Sequence, residues 1–198
     1  MKKLLVIGFL LTLCTVSQAQ LIRGYGLKVG GTIAHQAWDY TGQGSIPEAD
    51  GKTGFNVGGF IEFLDIPTLS VVGEVNYVQK KAEQEISVSG TNETFQYGND
   101  YLNLSALAKL RLSMVVIAPY IVAGPKADFS LKSYESSIPD NFKKARLGFK
   151  VGVGTEVDLK VIHLLAEFIY DYDVNNLYEG NNLKIKSNSF DFRLGIYL

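Results

Sequence analysis

The chain has 198 residues, a net charge of −1, one cysteine, 20 glycines and 11 each of phenylalanine and tyrosine. That length suits one domain, and the near-neutral balance offers no basic surface for nucleic acid. No segment beyond the N-terminus carries 18 uninterrupted apolar residues, which excludes a transmembrane helix.

The first element is an export signal. Met1-Lys2-Lys3 is a positive start, Leu4 to Val16 an apolar run, and Ser17-Gln18-Ala19 a small-residue cleavage site. The predicted division is a signal over 1–19 and one β-barrel domain over 20–198. The apolar run is too short to span a bilayer, which needs about 20 residues. Cys14 lies within the signal, and Leu13 is not the small residue that a lipoprotein signal places before its cysteine. The mature chain is therefore predicted to have no lipid anchor, no disulfide and no thiol chemistry. Removal of Lys2 and Lys3 leaves 17 basic and 20 acidic side chains.

Eight strands are predicted in chain order over 24–36, 52–64, 69–82, 96–112, 114–132, 143–159, 161–173 and 185–198. Most are longer than the 5–6 residues usual in soluble proteins. They match the roughly 9–11 residues that a tilted strand needs to cross a bilayer. The connections alternate in length. Short ones fall at Asp65-Ile66-Pro67-Thr68, about Ser113 and about Lys160. Long polar ones fall at 37–51, 83–95, 133–142 and 174–184. Short periplasmic turns and long extracellular loops are the habit of outer-membrane barrels.

The side chains alternate with period two, which gives each strand two different faces. In 145–159, Ala145, Leu147, Phe149, Val151, Val153, Val157 and Leu159 share one parity, interrupted by Thr155. Arg146, Gly148, Lys150, Gly152, Gly154, Glu156 and Asp158 share the other. The same split gives apolar rows led by Leu27, Val57, Val75, Leu104, Ile121, Phe168 and Leu194. Opposite them lies a mixed-sign row that includes Lys28, Glu62, Glu74, Lys109, Lys126, Asp128, Glu167, Asp171, Asp191 and Arg193. Phe55, Tyr77, Phe129, Tyr170, Tyr172 and Phe190 fall near the loop-side strand ends, as an aromatic girdle does. A soluble lipocalin-like barrel with its faces exchanged would show the same alternation. Strand length, girdle and connections favour the membrane: an all-β, eight-stranded antiparallel transmembrane barrel, exported to the outer membrane.

Several strand patterns resemble a known family. Lys28-Val29-Gly30-Gly31, Gly73-Glu74-Val75-Asn76-Tyr77, Tyr101-Leu102-Asn103-Leu104, Ala118-Pro119-Tyr120-Ile121 and Phe190-Asp191-Phe192-Arg193-Leu194-Gly195-Ile196 are similar to the PorT-like outer-membrane barrels of Bacteroidetes-type bacteria. The resemblance covers nearly the whole mature chain. It implies an eight-stranded barrel and identifies no active site. One member of that family serves a protein secretion system, which implies an accessory role of that kind as an alternative here. The terminal Tyr197-Leu198 departs from the aromatic ending of many outer-membrane proteins.

Eight strands enclose a space that side chains just fill. Inward Gly26, Gly30, Gly148, Gly152 and Gly154 leave room for inward Arg and Lys. The charged face is therefore predicted to be a packed ion-pair network, not a pore. A lipid-modifying enzyme would need His beside Ser and a carboxylate. His163 is inward by parity, with Glu167 four residues on, and no serine is placed beside it. Closure would bring His35 near Ser187 and Ser189, but on the opposite face. Both histidines are read as structural. No metal-ligand cluster or phosphate-binding loop is predicted, so no catalytic, cofactor or metal residues are assigned.

Half the acids of the mature chain fall in the predicted loops: Asp39, Glu48, Asp50, Glu83, Glu85, Glu93, Glu135, Asp140, Asp173 and Glu179. Against them stand Lys52 and Lys184. The expected role is structural or interactive, without catalysis. Its expected partners are outer-membrane lipid and lipopolysaccharide, or a second envelope or secretion protein. A narrow channel and a lipid-modifying enzyme remain as alternatives.

Overall fold

The computed structural model describes residues 22–40, 50–64, 68–88, 91–112, 114, 116–133, 145–159, 161–175, 178–179 and 183–198. The predicted signal lies outside them. Among the described residues, nine strands form one antiparallel sheet: β1 (Ile22–Tyr40), β2 (Asp50–Phe63), β3 (Leu69–Val88), β4 (Thr91–Arg111), β5 (Ile117–Ser133), β6 (Ala145–Asp158), β7 (His163–Asp173), β8 (Tyr178–Glu179) and β9 (Leu183–Tyr197). The eight long strands pair in chain order, and β8 adds two residues beside β9. The sheet closes where β1 meets β9, from Gly26↔Tyr197 to Tyr40↔Leu183. Closure leaves no open edge in the wall, which a bilayer requires because lipid cannot satisfy a free backbone N–H or C=O.

The faces fall as the parity predicts. Leu27, Phe149 and Leu194 are more than half exposed, whereas their neighbours Lys28, Lys150 and Arg193 are buried. An apolar outside around a charged inside excludes the soluble lipocalin-like arrangement. Every strand keeps this order because one step of register would carry a whole apolar row inward.

Three connections differ from expectation. The segment 83–95 is not a loop. β3 and β4 run 20 and 21 residues and pair as far as Val88↔Thr91. The polar sequence there conceals a strand because its backbone bonds are made within the hairpin and not to the barrel. The connections near Ser113 and Lys160 are also longer than predicted. β5 begins at Ile117, and the backbone N–H of Leu112 donates to the Pro119 carbonyl oxygen at 2.9 Å. β7 begins at His163, with the Leu159 N–H bonded to the Ile162 carbonyl oxygen at 3.0 Å.

The interior is not uniformly polar. Phe60, Val72, Leu107, Tyr120, Val122, Leu165 and Ile169 form a buried cluster inside the barrel. Glycines make room for its rings. A Cβ on Gly154 would lie 2.4 Å from Cζ of Tyr120, and one on Gly26 would lie 2.7 Å from the Phe60 ring. So the inward glycines accommodate aromatic rings as well as the predicted Arg and Lys.

Candidate functional site: a filled interior

The inward charges stack in three layers along the barrel axis. The middle layer centres on Glu74 of β3, to which β1, β6 and β9 each supply a cation. Lys28 Nζ lies 2.7 Å from its Oε1, Arg193 Nη1 lies 2.9 Å from its Oε2, and Lys150 Nζ stands at 3.5 Å. Glu167 completes the layer, 2.9 Å from Lys28, 2.7 Å from Arg193 and accepting from the Tyr120 hydroxyl at 2.8 Å. Lys150 also donates to Asn103 Oδ1 at 2.6 Å. Asp191 sits above, taking bonds from Thr32 at 2.7 Å and Asn56 at 3.3 Å.

The layer toward the long loops sets Asp128, Asp171 and Asp173 among Lys80, Lys126 and Arg146. Lys126 lies 2.8 Å from Asp128 and 2.5 Å from Asp173, and it also bridges Asp171. Arg146 pairs with Asp173 and rests on the Tyr101 ring, 4.3 Å from its centroid. The three carboxylates converge within 4.8 Å of one another, a spacing that suits a divalent ion. Three cations already neutralise them, so the trio works as counter-ions. Asp173 was expected among the loop acids. It is fully buried, because it continues the inward parity of Glu167 and Asp171.

The layer toward the short turns joins Arg23, Lys109 and Arg111 with Glu62 and Glu156. Arg23 lies 2.5 Å from Glu62 and 3.1 Å from Glu156, and Lys109 lies 3.1 Å from Glu62 and also pairs with Glu156. The Tyr197 hydroxyl sits 2.5 Å from Glu62 and 2.8 Å from Glu156. The penultimate residue of the chain thus closes this end of the interior. Neither Arg23 nor Tyr197 is among the inward residues named from the sequence. Parity alone would have turned Tyr197 inward, whereas Arg23 follows a register shift between Ile22 and Gly24.

Among the described residues, nine cations therefore meet eight carboxylates inside: Arg23, Lys28, Lys80, Lys109, Arg111, Lys126, Arg146, Lys150 and Arg193 against Glu62, Glu74, Asp128, Glu156, Glu167, Asp171, Asp173 and Asp191. Such a set is stable only as a set, because a buried charge that loses its partner is costly. Two concavities share Leu110, Ile121 and Val153 on the lipid-facing rows.

The histidines separate. His163 faces inward at the rim, as predicted, but its carboxylate is Glu156 at 3.4 Å and not Glu167, which Lys28 and Arg193 hold deeper inside. Its ring stacks on Tyr197 at 4.3 Å. His35 lies on the outer surface, edge-on to Phe190, while Ser187 and Ser189 are buried inside. No His–Ser–carboxylate set is assembled at either histidine among the described residues. Of the predicted loop acids, Glu48, Glu135 and Asp140 lie outside the described residues. Asp39, Asp50, Glu83, Glu85, Glu93 and Glu179 sit on strand extensions.

No curated protein sequence matches the chain. Among solved structures, Neisserial surface protein A is similar at 15% identity and a TM-score of 0.54, with 89% of this chain and 99% of that one covered. Ail, the attachment invasion locus protein of Yersinia pestis, follows at 12% identity and a TM-score of 0.45, over 88% and 99%. The outer membrane protein AlkL shows 15% identity and a TM-score of 0.44, over 92% and 93%. The first of these supports the eight-stranded fold and nothing finer. The family described as "Outer membrane protein beta-barrel domain" matches residues 18–179. The chain belongs to that family of outer-membrane β-barrels.

Proposed function

We propose that this protein is a non-conducting, non-catalytic barrel that acts through the surface it raises above the bilayer. The observation that carries this reading is the filled interior. Three layers of paired charge and a cluster of apolar side chains occupy the space through which a solute would have to pass. What is left for interaction is the extracellular side, where β1, β3, β4 and β9 continue beyond the lipid-facing rows. The partners proposed there are lipopolysaccharide and, as in the PorT-like group, another envelope or secretion protein. Acidic positions support the first. Asp50 and Glu83 are register partners, and scattered carboxylates gain affinity for divalent cations when they converge. Magnesium would then bridge them to lipid phosphates.

Planar-bilayer recording of the refolded protein tests the closed interior. No discrete openings are expected, and reproducible single-channel steps would replace this reading with the narrow channel.

A further inference from the structure

The lipid-facing wall carries a furrow whose floor follows from the register. Leu110 of β4, Ile121 of β5 and Val153 of β6 stand side by side as cross-strand partners and line both outer concavities. Above this row the outward positions shrink to the pair Ala108↔Ala123. Below it the outward position on β5 is Pro119, opposite Thr155. Longer side chains wall in these small ones, Phe168 and Tyr170 above and Leu112 below. The lower concavity holds about 540 Å³ and the upper about 320 Å³. From Pro119 to Ala123 the strand rises about 13 Å, so the two form one furrow that runs from the short turns toward mid-wall.

Position, shape and one backbone atom set its occupant. The furrow lies within rows that face lipid and opens at the short turns. There Leu112, Met114, Val116 and Val161 are each more than half exposed and carry the apolar surface past the strand ends. The Asp158 N–H donates to the Val116 carbonyl oxygen at 3.0 Å, which ties the two apolar turns together. Such a patch is costly in water, and the periplasmic leaflet covers it. Lipid tails are as apolar as the wall, so packing and not transfer from water decides what settles in the furrow. An unfilled furrow forfeits dispersion contacts. A flexible acyl chain can fill it, whereas a folded surface would need a matching ridge. The backbone atom is at the mouth. Leu112 N–H donates to the Pro119 carbonyl oxygen, but Pro119 has no N–H to return the bond. The Leu112 carbonyl oxygen therefore lacks its ladder donor, and the Thr68 hydroxyl lines the same mouth. A headgroup N–H suits the first and a phosphate oxygen the second. We propose that this furrow is a site for one glycerophospholipid of the periplasmic leaflet. Its acyl chain would lie along Pro119, Ala123 and Ala108, and its donor headgroup at the Leu112 carbonyl oxygen.

The protein is refolded into detergent micelles, and folding is checked by heat-modifiable gel mobility. Phosphatidylethanolamine or phosphatidylcholine with matched chains is then titrated while native mass spectra are recorded. One phosphatidylethanolamine is expected to stay bound at collision energies that strip further lipid. Ala123→Phe and Ala108→Phe each fill the furrow while keeping the wall apolar, and should weaken that adduct about tenfold through lost packing. Val29→Phe, also outward but on β1, should leave it unchanged. Phosphatidylcholine has no N–H donor in its headgroup and should bind about threefold more weakly, as the loss of one net hydrogen bond allows. Pro119→Ala returns a donor to Leu112 and should erase that preference. If one Phe variant fails to fold, the other still decides. Lipid adducts that follow the same distribution in wild type and in the folded Phe variants would overturn the site. Equal retention of the two lipids by the wild type would overturn it too, because nothing would then anchor a headgroup at Leu112. A dimer mass that disappears in Ala123→Phe would give the furrow to a second copy of the chain and end the proposal.

Discussion

The lipid-facing wall and the charged interior are made by the same strands, yet they tolerate change in opposite ways. On the wall, Val151 is exposed on the outward row, where lipid offers no partner to a charge. One residue earlier, Lys150 is buried among Glu74, Asn103 and Ser105. The wall therefore demands a uniform property at every outward position. The interior instead demands a balance, which a network can share among several members. A single substitution should be most damaging where the network has one hub, and least damaging where its members are redundant.

The hub is Glu74, which holds Lys28, Lys150 and Arg193 together. Glu74→Ala leaves those three cations with Glu167 and Asp191 alone, and should cost about 3–5 kcal/mol. Urea titration of the folded barrel in liposomes, read by heat-modifiable mobility, measures this. A loss below that of a wall substitution would show that the interior is less interdependent than the wall.

Next comes the wall. Val151→Arg places a cation against lipid near mid-strand and should cost about 2–4 kcal/mol. Lys150→Ala should cost about 1 kcal/mol, near the net worth of one hydrogen bond, because Lys28 and Arg193 still neutralise Glu74. Equal refolding yields for these two variants would contradict the assignment of faces.

The contact between glycine and ring sharpens the comparison inside the barrel. Gly154→Ala should cost about 1–3 kcal/mol by overpacking, since its Cβ would meet the Tyr120 ring and push that hydroxyl from Glu167. Gly59→Ala is the control, because a Cβ there meets nothing nearer than 3.6 Å. Thermal melts of the two variants should differ, with Gly154→Ala the lower.

The smallest effect on stability belongs to the extracellular acids. Replacing Asp39, Glu48 and Asp50 together by neutral residues should leave the denaturation midpoint unchanged. It should weaken magnesium-dependent association with lipopolysaccharide several-fold. Unchanged association at matched magnesium would reduce these residues to a solvated surface.

The contrast between wall and interior was legible from parity alone, because a strand's two faces differ by one residue and the alternation runs through most of β6, from Ala145 to Val153. The same rule reached Lys28, Glu74, Lys150, Glu167 and Arg193 and placed His35 outside. It failed where polarity was taken as a sign of loops. Residues 83–95 read as a polar loop, yet their backbone pairs as a hairpin from Glu83↔Gln96 to Val88↔Thr91. Asp173 shares the parity of Glu167 and Asp171 and ends the predicted strand over 161–173, yet its place at the loop boundary set it among the loop acids. The apolar cluster around Phe60 and Tyr120 was visible as apolar residues on the polar parity, but the charges beside them drew the reading.

By itself the sequence determined the strand count, the closed antiparallel barrel and which side of each strand meets lipid. These follow from period-two alternation and the lengths between turns, which are local properties of the chain. Only the tertiary structure decided which charge meets which. Glu74 and Arg193 are 119 residues apart, and their contact depends on how far the strands are staggered when β1 closes on β9. Pairing across the interior is set by that closure, and no local pattern encodes it.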